Sequence, residues 1–233
     1  MTDKTKQAMV KHVQSLNDRP IEKAVYEAFR YAIVTGGLPL HQRINTTEYA
    51  QVLNTSRTPI RLALDKLLAD GLVYYTPNIG FFACQVTMDD AREIYLIRKA
   101  LEAVVVNVAT EKMTPADFDE LEGLLQATDE ANKRNDIAQV LVLFREYHRF
   151  MYQKSELHRI AEIISRGDEY LQHFRTICLS HESRRNHAIA DHWAIYHAMK
   201  ARDTQTTVGL IEGHLDASLD FLLANFDDRG VYD

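Results

Sequence analysis

Residues 44–71 constrain this chain most, because their apolar side chains recur at helical spacing in two runs separated by a tight turn. Tyr49, Ala50, Val52 and Leu53 form a stripe on a short first helix, and Ile60, Ala63, Leu64, Leu67 and Leu68 form one on a second. The stripes leave water by packing against each other. Between them, Asn54 tolerates the left-handed conformation that ends a helix, and Ser56 stands where a side-chain oxygen caps the next one. Pro59 lies in the first turn, where a missing amide proton costs least. Arg57, Thr58 and Arg61 then point outward beside a helix N-terminus. A helix so equipped can lead with its N-terminal side chains into a DNA major groove, although a plain helical hairpin with solvated arginines has the same spacing.

The next residues favour the first reading. Residues 72–76 and 81–86 are β-rich, with Pro77-Asn78-Ile79-Gly80 as turn chemistry between them. Two strands directly after a helix-turn-helix make a winged helix. Upstream, residues 20–35 read as the first helix of that unit, with Ala24, Val25, Ala28, Phe29, Ala32 and Ile33 buried and Gly36-Gly37 as its stop. Residues 38–44 read as an extended connection. Residues 1–18 are polar without clear periodicity and read as a mobile arm, whose Lys4, Lys6 and Lys11 could brush a DNA backbone.

The formal charge of −6 argues against a nucleic-acid partner only if it is evenly spread. Residues 1–88 carry 10 Lys plus Arg against 7 Asp plus Glu, whereas the remainder carries 17 against 26. The N-terminal part is therefore the one suited to phosphates. Cys84 and Cys178 lie far apart, with no metal-knuckle or disulfide spacing, and neither a signal-peptide core nor a membrane-length apolar run is present. A cytoplasmic protein is expected.

From residue 87 onward strand signals vanish. Helices are expected at 89–111, 115–133, 136–153, 156–178, 185–201 and 204–226, broken at Thr114-Pro115, Asn135-Asp136, Ser155, residues 180–183 and Arg202-Asp203. The fold class is mainly α: an arm (1–18), an N-terminal winged helix-turn-helix (19–87), and a C-terminal all-α helical bundle (88–233) with room for an effector cavity and a dimer contact.

The string Ser56-Arg57-Thr58-Pro59-Ile60-Arg61, followed by Ala63-Leu64, Leu67, Gly71-Leu72 and the wing Pro77-Asn78-Ile79-Gly80-Phe81-Phe82, resembles the GntR family of bacterial transcription regulators. So does Gly37-Leu38-Pro39 leading to Arg43-Ile44. The chain departs from the pattern at Leu62, at Thr47-Glu48 and at Asn78, which bears on the operator sequence rather than on docking. The resemblance implies double-stranded operator DNA as partner and DNA contacts from Arg43, Thr47, Ser56, Arg57, Thr58, Arg61, Asn78 and Gly80.

The helical part resembles the FCD effector domain of the FadR subfamily. The carrying residues are the run Glu93-Ile94-Tyr95-Leu96-Ile97-Arg98-Lys99-Ala100-Leu101-Glu102, then Phe144-Arg145-Glu146-Tyr147-His148, Asp191-His192-Trp193-Ala194-Ile195, Ala198-Met199-Lys200-Ala201-Arg202-Asp203, and Gly213-His214-Leu215. In many members an aspartate four residues before the first histidine, that histidine and two later ones hold a divalent metal, with a small organic acid beside it. Carried over by position, the histidines are His148, His192 and His214, and the aspartate is Phe144. Glu146 does not substitute, since residues two apart face different sides of a helix. Three imidazoles can still hold zinc or nickel, or can stand in a metal-free polar pocket. Arg98 and Arg175 are candidates for an effector carboxylate, with Glu102, four residues from Arg98, offering a plain ion pair instead.

The reading that follows is a ligand-responsive, sequence-specific DNA-binding regulator, expected to be a repressor and a homodimer, with a small organic acid as effector. Two others stay open: a constitutive dimeric regulator without metal or ligand, and a tris-histidine hydrolase, for which the sequence shows no nucleophile elbow and no phosphate-cradling glycine loop.

Overall fold

The computed structural model describes residues 3–16, 19–34, 37–38, 42–84 and 87–226, without the side chains of Asp3, Lys4 and His173. The expected roles of Lys4, Gly36, residues 39–41 and the strand end at 85–86 lie outside what is described. The chain divides into two compact units, Met1–Val86 and Thr87–Asp233.

The first unit contains α1 (Asp3–Ser15), α2 (Ile21–Val34), α3 (Thr46–Val52), α4 (Arg57–Ala69), β1 (Val73–Thr76) and β2 (Gly80–Ala83). Its core is the α2–α4 seam, where Val25, Phe29, Ile60, Leu64 and Leu67 are fully buried and Tyr49 of α3 closes on Phe29 at 4.7 Å between ring centres. Burying each large apolar side chain is worth about 1.5–3 kcal/mol. Local chemistry sets the ends. Asn45 accepts hydrogen bonds from the amides of Thr47 and Glu48 at the start of α3, and Asn54 takes the left-handed conformation (φ 48°) in the turn, as its side chain suggested. Ser56 occupies the cap position of α4 in extended backbone, but its hydroxyl makes no cap bond. The strands pair antiparallel from Val73–Ala83 to Thr76–Gly80, and Arg43 adds a bridge to Phe82. Within the stretch read as a mobile arm, Asp3–Ser15 form α1, which buries Met9, sets His12 against Tyr31 of α2, and ties Lys6 to Glu48 of α3 at 2.7 Å. With only Met9 fully buried on that helix, its sequence carries too thin a stripe to announce it.

The second unit is built of α5 (Met88–Lys112), α6 (Pro115–Lys133), α7 (Ile137–Ser155), α8 (His158–Tyr170), α9 (Gln172–Ser180), α10 (Glu182–Lys200) and α11 (Thr204–Asn225). Reciprocal caps start two of them, Thr87 with Asp90 and Thr114 with Asp117. The helix expected over 156–178 is in fact two, divided at Leu171. No proline or glycine marks that division. Leu171 is fully buried, Ile164 packs with Val105 and Tyr152, and Gly167 approaches Ile94 so closely that a Cβ there would lie 2.9 Å from its methyl, so packing rather than local propensity places the bend. Arg185 braces the start of α10: it donates to Asn132 and Asn135 and to the carbonyls of Leu179 and Ser180, which spends its fork on protein acceptors.

Candidate functional site

The first unit presents one polar surface built on α4 and the wing. The buried face of α4 turns Arg57, Thr58 and Arg61 to solvent; Arg61 reaches no nearer than 4.0 Å to Asp65 and stays 70% exposed. Ser56 and Thr47 are exposed nearby in the chain. At the wing tip Asn78 (φ 63°) and Gly80 (φ 130°) use backbone conformations that favour asparagine and glycine, and the exposed Arg43 lies alongside, its Nε 3.1 Å from where a Cβ of residue 80 would sit. Leu62, beside Arg61 in sequence, is more than half exposed and sets an apolar side chain on the same surface.

In the second unit, α7, α10 and α11 bring His148, His192 and His214 together inside the bundle. Their rings stand 4.9–6.3 Å apart between centres, and one nitrogen from each lies within 4.8 Å of the others. Both ring nitrogens of His148 and of His192 are buried without a hydrogen-bond partner. His214 is held by Asp191, whose carboxylate lies 2.9 Å from Nδ1. Burial pulls the proton affinity of all three below the ordinary histidine value, so at neutral pH they are uncharged and offer lone pairs. Orphaned buried nitrogens are costly unless something occupies them, and neutral imidazoles backed by a carboxylate are the donor set a zinc- or nickel-type ion accepts. The residues therefore fit a metal. Phe144, at the position where the resemblance implies a fourth ligand, meets His192 edge-on at 4.8 Å.

Beside the imidazoles is a cavity of about 30 Å³, and next to it one of about 250 Å³; Phe144, His148, Arg175 and Leu179 line both. Of the two arginines expected to meet an effector, Arg175 is in these walls, 2.9 Å from Asp168. Arg98 is not among the lining residues. It is 2% exposed and paired with Glu102 at 2.8 Å and Asp168 at 3.2 Å, which corrects its expected role to that of a buried ion pair. Sequence reading also missed Arg184, which lines the smaller cavity. Its signal was present, since 184, 188 and 192 share one face of α10.

Comparison with known proteins agrees with this anatomy. Residues 21–83 match the model for bacterial regulatory proteins of the gntR family, and residues 93–217 match the FCD domain. The chain is similar to the HTH-type transcriptional regulator McbR of Escherichia coli, with 30% identity over 58% of this chain and 61% of that one. It is also similar to the Nta operon transcriptional regulator of Aminobacter aminovorans, with 30% identity over 60% and 69%. The solved structure of E. coli McbR/YncC shares the fold at a TM-score of 0.70 and 22% identity, covering 88% of this chain and 98% of that one. These relatives regulate transcription rather than catalyse reactions, which sets the hydrolase reading aside. The chain belongs to the GntR family of bacterial regulatory proteins, carries an FCD domain, and is a DNA-binding transcription regulator.

Proposed function

We propose that the protein is a dimeric, effector-responsive repressor of the cytoplasm that reads its operator with α4 and the wing. The observation carrying this is the pair of solvent-facing guanidiniums, Arg57 and Arg61, at the N-terminal end of a helix whose opposite face is locked into the core. Arg57, Thr58 and Arg61 meet base edges, Ser56, Thr47 and Arg43 meet phosphates, and Asn78 and Gly80 shape the wing contact. Exposed Leu96, Ile97 and Val104 on one stretch of α5 support a twofold contact between copies, which would set two recognition helices at half-site spacing. No described helix is long and apolar enough to cross a membrane.

The effector is a small organic acid bound in the histidine-lined space. His148, His192 and His214 would hold a divalent ion there, which supplies open coordination positions to an acid oxygen. Arg175 orients the bound acid from the shared wall. Occupancy shifts the bundle and with it the recognition helices, a coupling of about 1–3 kcal/mol.

In a mobility-shift assay on DNA from the protein's own promoter region, the wild-type chain gives specific retardation and the double variant Arg57→Ala, Arg61→Ala does not. Wild-type binding by that variant ends the assignment of α4.

A further inference from the structure

Two neighbouring buried arginines on α10 have opposite fates. Arg185 spends its donors on amide and carbonyl oxygens. Arg184, 6% exposed, gives one Nη to the Ser218 hydroxyl, while its other Nη is buried with no partner. Among the described residues, no carboxylate lies within ion-pair distance of it. Asp191 balances its charge from a distance but gives its hydrogen bond to His214, not to the guanidinium. The other buried cations of the region are balanced, since Arg98 and Arg175 share Glu102 and Asp168. The small cavity is thus lined by three uncharged imidazoles and by a guanidinium with one buried donor that no acceptor meets. A buried donor on a charged group costs more to leave unmet than a neutral one, and a guanidinium does not shed its proton to relieve it.

We infer that this cavity takes the head of a monocarboxylate with an apolar body, and that Arg184 anchors its two oxygens. The inference rests on the effector reading above and narrows it to a ligand class. A space of about 30 Å³ admits a small polar head but no ring or alkyl chain. A planar fork pairs with such a head at two points. The body then passes Phe144 into the neighbouring space of about 250 Å³, where Leu141, Tyr152 and Leu179 offer apolar wall. For scale, a void of roughly 150 Å³ takes benzene, so an aromatic ring or branched alkyl chain fits. The remaining cations of that wall do not call for a second carboxylate: Arg175 is paired with Asp168, Arg149 with Glu146, and Arg145 is exposed. Phe144 bears on the class, since it lines both spaces and makes the passage between them apolar.

The test is calorimetric titration and thermal shift of the full chain with phenylacetate and 4-methylpentanoate, against succinate and citrate, using protein as purified and after chelator treatment. At least one apolar acid binds saturably, at least ten-fold tighter than either polyacid, and still binds after chelation. Arg184→Gln weakens it ten-fold or more, Arg184→Lys less so, and Phe144→Asp removes the preference for apolar acids. Circular dichroism confirms that each variant is folded; if Arg184→Gln is not, Arg184→Lys and Phe144→Asp decide. Tighter binding of succinate or citrate overturns the ligand class while leaving the effector reading intact. Undiminished binding by Arg184→Gln, or complete loss on chelation, overturns the anchor. Failure of every acid to bind overturns the effector reading along with it.

Discussion

Acidification of the metal-free protein should destabilise the helical unit well before any surface carboxylate titrates. His148 and His192 are 4% and 1% exposed, and burial holds both far below the ordinary histidine value, so each stays neutral in the folded chain while it protonates freely in the unfolded one. For a base whose folded affinity is depressed, this stability is intact above the unfolded pKa of about 6.5 and is lost as pH falls below it. At pH 5.5 the unfolded state gains about 1.4 kcal/mol per histidine, hence about 3 kcal/mol for the pair, against about 0.1 kcal/mol at pH 7.5. His214 adds less, because Asp191 opposes its burial. Glu102, whose carboxyl burial raises, works in the opposite sense, so the comparison is made with His148→Phe, His192→Phe. Trp193 is the chain's one tryptophan and lies in this unit, so its fluorescence in urea reports the right transition. With a slope of about 2 kcal/mol per molar, the wild-type midpoint should fall by about 1.5 M between pH 7.5 and 5.5. The double variant should lose little. Equal pH dependence in the two proteins would refute the buried, neutral state of these imidazoles.

Two further outcomes follow from the same physics. Chelator-treated protein dialysed against zinc should take up about one ion per chain by elemental analysis, with His148→Ala or His214→Ala abolishing uptake; zinc content unchanged in those variants would locate the ion elsewhere. Leu64→Ala, which empties a fully buried position between α4 and α2, should cost about 2–5 kcal/mol in chemical denaturation of the first unit, and a loss below about 1 kcal/mol would mean that the seam is not its core.

The winged unit was legible because its signals are local: helical apolar spacing, Asn54 at a left-handed turn, Gly80 at the wing tip. The histidines came from position within a resembling domain, not from spacing, since His148, His192 and His214 meet only after three helices pack. What escaped was set by partners distant in the chain. The pairing of Arg98 with Asp168 spans 70 positions of sequence, the bend at Leu171 answers to Ile94 and Val105, and Arg184 is distinguished from Arg185 only by acceptors that lie elsewhere. Helix α1 was missed for the reverse reason, as it has too little apolar face to stand out.

The missing side chain at residue 80 ties Arg43 and the wing into a single mechanical part. Because Nε of Arg43 lies 3.1 Å from where a Cβ of residue 80 would sit, and its backbone is bridged to Phe82, displacement of the wing carries that guanidinium with it. Drift in operator preference can therefore arise from a substitution at a site that itself touches no base.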